Sequence, residues 1–126
     1  MDQHSPLASA RGLGSAKSGV AHWWAQRLTA LALVPLALWF VASVVGLAGA
    51  GYADTRAWIA APGPALLLIL LIVATFHHTQ LGLQVVIEDY VRHEGARIAA
   101  IVVVKGAAIV IGTLGVLAVL KIALAG

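Results

Sequence analysis

Residues 28–52 read LTALALVPLALWFVASVVGLAGAGY, an unbroken run from Leu28 to Tyr52 with no charged side chain. At about 1.5 Å of rise per residue, a helix of that length crosses a hydrocarbon layer of roughly 30 Å. Lipid supplies no water to open backbone groups, so the stretch is expected to cross as a helix. Pro35 lies inside it and predicts a kink, tolerable where a neighbouring helix or a local adjustment re-satisfies the freed carbonyl.

The composition carries the same message to the whole chain. Of 126 residues, 61% are hydrophobic and 10% charged, and the mean hydropathy is +0.96. A soluble domain is about half apolar and about a quarter charged, so this chain has too little polar surface for a water-soluble fold. There is no cysteine, which excludes a disulfide framework, a thiolate-held zinc or iron–sulfur site and covalent c-type haem. Any cofactor must be held through histidine or carboxylate. The net charge of +3 is spread singly between apolar runs and makes no basic face for nucleic acid. Membrane topology is its natural use.

Two more spans follow. Pro62-Gly63-Pro64 offers a helix start with proline in the first turn, and the apolar run from Leu66 continues past two histidines to Ile87, ending near Tyr90 or Arg92. A third run, Ile98 to Leu120, is interrupted by Lys105, shallow enough to snorkel. The expected architecture is an all-α membrane protein of three transmembrane helices, at about 28–50, 64–90 and 98–121. A polar N-terminal tail, 1–26, precedes the anchor domain, 27–126, and a short loop carries Asp54 and Arg56. Trp23, Trp24 and Trp58 suit interfaces. Ala108 with Gly112 and Gly46 with Ala50 have the four-residue spacing that admits close helix neighbours. Arg11, Lys17, Arg27, Arg92 and Arg97 fall on one side, against Arg56 and Lys121 on the other. The bias places the N-terminus in the cytoplasm and the C-terminus across the membrane, in the periplasm.

Chemistry is concentrated in HHTQLGLQVVIEDY, His77 to Tyr90. Ionisable groups inside a span are costly and mark functional positions by default. At helical spacing His78, Gly82, Val85 and Asp89 share one stripe, and His77, Gln84 and Glu88 an adjacent one. An imidazole one turn from a glycine leaves room for a large flat ligand, and haem iron commonly takes a histidine nitrogen. The plain alternative is a neutral histidine bonded to a hydroxyl or carbonyl of another helix. His77 points about 100° away, so one haem cannot use both. His4, His22 and His93 lie outside the expected spans, so a second axial imidazole would come from another chain. Asp89 and Tyr90 stand where the helix leaves the membrane: a phenol there can donate to a quinone carbonyl and a carboxylate can relay a proton, or both are ordinary interfacial residues. Arg27 can meet an anionic group such as a haem propionate, or anchor among lipid phosphates.

The run HHTQLGLQVVIEDYV, preceded by a first helix opening RLTALAL and followed by one more span, resembles the small hydrophobic anchor subunit of succinate dehydrogenase, complex II. In that family a second-helix histidine, followed four residues later by glycine and eleven and twelve later by Asp-Tyr, is an axial ligand of haem b, and the tyrosine bonds ubiquinone. The resemblance selects His78 as the ligand to haem iron, Tyr90 as the quinone-contacting phenol, Asp89 as its polar neighbour and Arg27 as the arginine near propionates and the quinone pocket. The extra His77 departs from the minimal pattern. The resemblance further implies a helical bundle shared with a second cytochrome b anchor subunit, beside iron–sulfur and flavoprotein subunits that carry out the dehydrogenation. The chain itself would be a non-dehydrogenating subunit, embedded in lipid.

Two other functions fit the same residues. The anchor of a fumarate reductase runs the redox couple in reverse, and a cofactor-free scaffold or small transporter subunit would use His77, His78 and Glu88 as a polar path.

Overall fold

The computed structural model describes residues 17–125, and each regular element among them is a helix: α1 (Lys17–Gly46), α2 (Tyr52–Ala60), α3 (Pro62–Tyr90) and α4 (Glu94–Leu124). Three of them, α1, α3 and α4, are long and apolar enough to cross a membrane. The all-α, three-span architecture is borne out.

Local chemistry explains most boundaries. α1 ends at Gly46, and the chain turns through Gly49, whose φ of +86° lies where glycine is at ease and other residues are not. Pro62 and Pro64 occupy the first turn of α3, where a missing N–H costs nothing. His93 caps α4: its Nδ1 accepts the backbone N–H of Ala96 at 3.1 Å. Gly95 leaves room for that ring, since a Cβ there would stand 3.2 Å from His93 Cε1.

Three expectations about boundaries change. α1 starts at Lys17, so residues 17–26 are helical instead of belonging to a polar tail; residues 1–16, with His4 and Arg11, lie outside the described residues. The stretch from Val20 to Arg27 has no proline or glycine, and its inner side packs on α3, so tertiary contact extends the helix. His22 accordingly lies within the first helix. The expected loop with Asp54 and Arg56 is the nine-residue α2, fixed by Trp58, which stacks on Trp39 of α1 at 5.7 Å between ring centroids. α4 begins at Glu94, four residues before the apolar run, because capping by His93 makes a helical first turn of the polar Glu94–Arg97 segment.

α3 is the central helix, with α1 and α4 packed against it and not against each other. Two glycines of α4 lie against side chains of α3. A Cβ on buried Gly112 would meet Phe76 at 3.5 Å, and one on Gly115 would meet Ile72 at 3.4 Å. Gly46, the other small-residue position, has no neighbour within 4 Å. The core is a thin seam of Ala65, Leu68 and Val119, overlain by Trp39, Trp58 and Ile72. Most of the remaining apolar side chains face outward, as a lipid or partner surface requires.

The antiparallel packing gathers the N-terminal half of α1, the C-terminus of α3 and the start of α4 at one end of the bundle. Arg27, Arg92 and Arg97 stand at that end; Arg56 and Lys121 stand at the other.

Candidate functional site

The α1–α3 seam holds a polar patch inside an otherwise apolar contact. His78 is half-buried, and its Nδ1 lies 3.0 Å from the Thr29 hydroxyl on α1. One turn on, Gly82 comes against Gln26: a Cβ there would be 3.5 Å from Gln26 Nε2. These two contacts fix the antiparallel register, and His22, one more turn back along α1, continues the stripe toward the end of α3. His22, Gln26 and Thr29 are thus successive inward residues of α1.

Three atoms of this region are buried without a hydrogen-bond partner: His22 Nε2, Gln26 Oε1 and Gln84 Oε1. Each such atom costs about 1–3 kcal/mol. Gln84 spends its amide on Glu88, donating through Nε2 to Oε1 at 2.8 Å, which leaves its own oxygen unserved. Polar groups left wanting at one end of a membrane bundle are a deficit that a ligand, water or a partner chain makes good.

The two adjacent histidines part company. His77 is exposed, with its Nδ1 3.4 Å from Gln80 Nε2, and it opens onto an apolar groove of about 500 Å³ between α3 and α4, beside Phe76, Lys105 and Gly112. His78 faces α1 instead. The roughly 100° turn between consecutive helix positions is realised as two different environments. His77 thus faces the α3–α4 groove and His78 the α1–α3 seam.

The other expected site residues stand at the same end. Asp89 and Tyr90 close α3, both exposed, Tyr90 at 79%. Arg27 is exposed on the outer side of α1, where its guanidinium lies over the Trp23 ring at 5.0 Å, and Trp23 meets Trp24 edge-on. In this chain alone, Arg27 faces away from the inward stripe that carries Thr29. The residues that sequence reasoning passed over are Gln26 and Thr29, with His22. Their signal was present as the spacing 22, 26, 29, which puts all three on one helix face.

A haem would need one open imidazole nitrogen from this chain, and His78 offers it: only Nδ1 is engaged, and no protein group among the described residues bonds Nε2. No group of three or more His, Asp or Glu side chains among the described residues is arranged to hold a bare metal ion.

Comparison with known proteins places these features in a family. Residues 1–114 match the model of the succinate dehydrogenase/fumarate reductase transmembrane subunit. The chain is 33% identical over 104 residues to a succinate dehydrogenase hydrophobic membrane anchor subunit of Rickettsia bellii (strain RML369-C), covering 82% of this chain and 83% of that protein. It is 35% identical over 98 residues to the protein of the same description from Paracoccus denitrificans, covering 78% and 75%. A succinate dehydrogenase membrane anchor subunit of Reclinomonas americana is 32% identical over 96 residues, covering 74% and 80%. With three spans, a polar seam at one end and these relatives along most of its length, the chain belongs to the family of succinate dehydrogenase/fumarate reductase transmembrane subunits.

Proposed function

We propose that this chain anchors the peripheral subunits of a succinate:ubiquinone oxidoreductase to the cytoplasmic membrane, binds haem b jointly with a second anchor subunit, and completes a ubiquinone-reducing site at its Arg27–Tyr90 end. The observation that carries the haem assignment is His78: it is held against α1 within the spans with one ring nitrogen bound and the other open. Names borne by the relatives support the succinate-oxidising direction.

In this role His78 would hold the iron through Nε2, while Gly82 lets Gln26 of α1 come close one turn away. A bound haem supplies one-electron redox chemistry between the iron–sulfur subunit and the membrane. Tyr90 donates its phenolic hydrogen to a quinone carbonyl oxygen, which positions the ring and stabilises charge accumulating on that oxygen. Asp89 passes one proton to that oxygen from the aqueous side and water supplies the other to the second carbonyl oxygen, so that quinone plus two electrons from the iron–sulfur subunit and two protons gives quinol. Both side chains are exposed here, and partner subunits provide the rest of the pocket wall. Arg27 would supply positive charge for a propionate once a partner covers its face. The orientation with the N-terminus in the cytoplasm follows from the clustering of Arg27, Arg92 and Arg97 at this end.

The test uses the whole complex. Tyr90→Phe is expected to lower succinate:quinone reductase activity about tenfold, the equivalent of one hydrogen bond of about 1.4 kcal/mol, while succinate oxidation measured with a soluble dye acceptor is unchanged. Unchanged quinone reduction in that variant would remove Tyr90 from the site.

A further inference from the structure

We propose that Thr29 is a positioning residue that holds His78 in the Nδ1-protonated tautomer and so presents a bare, electron-rich Nε2 to the iron; this rests on the haem assignment above. Thr29 Oγ1 lies 2.7 Å from the carbonyl oxygen of Ala25, 3.1 Å from that of Gln26 and 3.0 Å from His78 Nδ1. A hydroxyl has one hydrogen to give. At 2.7 Å the Ala25 contact is at the ideal length for O–H···O; with no proton between them, two oxygen lone pairs so close would repel. The carbonyl of Gln26, 3.1 Å away, offers the same proton a second acceptor on α1.

The threonine proton is therefore committed to its own helix, and toward His78 the hydroxyl has only lone pairs. Nδ1 must be the donor, N–H to Oγ1. In a neutral imidazole one nitrogen carries the hydrogen and the other the lone pair, so Nε2 is the acceptor, which is the form a metal requires. Donation from Nδ1–H also fixes the plane of the ring and raises the basicity of Nε2. Threonine supplies this with a side chain short enough for the closely packed seam that Gly82 and Gln26 create one turn away.

A more basic axial nitrogen favours the ferric state, so removing the acceptor moves the haem potential upward. In the assembled four-subunit complex, Thr29→Val keeps the shape and removes the lone pairs. It is expected to weaken haem retention 10–100-fold against an apo-haem acceptor, in the range of lost outer-shell partners, and to raise the midpoint potential of the retained haem. A tenfold change in ferric preference corresponds to 59 mV. Thr29→Ser, which keeps the hydroxyl, is expected to restore both. Parental retention and parental potential in Thr29→Val would overturn the proposal.

A second measurement stands if Thr29→Val fails to assemble. Solid-state NMR of the parent complex, labelled with 15N-histidine and stripped of haem, is expected to show His78 with protonated Nδ1 and bare Nε2. The reverse tautomer would overturn the proposal. A His78→Leu complex with the parental spectrum and potential would instead overturn the haem assignment, and leaves the tautomer measured by NMR untouched.

Discussion

At the scale of single residues, the end of the bundle near Tyr90 works by division of labour between neighbours in sequence. His77 and His78 differ by one helix position, yet one opens to the α3–α4 groove and the other leans on Thr29 of α1. Haem content is therefore expected to be insensitive to His77→Leu. Haem loss in that variant, measured as haem per flavin, would mean that the ligand had been assigned to the wrong ring. His78 was legible in the sequence because an ionisable side chain in an apolar run is conspicuous. Thr29 was not: a lone hydroxyl among leucines and alanines reads as filler, and with residues 1–26 taken for a tail, its alignment with His22 and Gln26 had no helix to lie on.

At the scale of elements, α3 and α4 meet where Gly112 lies against Phe76 and Gly115 against Ile72, with room there for a methyl group and no more. Gly112→Leu drives a branched side chain into Phe76, since its Cβ alone would stand 3.5 Å from that ring, and is expected to destabilise the pair by about 1–3 kcal/mol, read as a lower unfolding temperature of the detergent-solubilised complex. Gly46→Leu, facing open space, is expected to leave that temperature unchanged; equal losses in both variants would mean that packing against Phe76 is not the cause. The spans themselves were plain in the sequence, because charge-free runs longer than a bilayer is thick have no other solution. α2 was not, since nine residues with a mixed Asp-Thr-Arg centre become helical through contacts distant in sequence, the stack of Trp58 on Trp39 among them.

At the scale of the molecule, α1 and α4 flank α3 without meeting, so the chain is an open array with polar atoms unserved on its α1–α3 seam. A second anchor subunit that contributes the other axial imidazole would close it. Expressed without that partner, the chain is expected to enter membranes and show no b-type absorbance; a full b-type spectrum from the chain alone would contradict a shared haem. The central claim is that His78 ligates iron. Its most direct test is the reduced-minus-oxidised spectrum, with the midpoint potential, of the purified complex carrying His78→Leu beside the parent. The account predicts that the parental low-spin b-type signal is lost or shifted in both band and potential. An identical spectrum at an identical potential would contradict it.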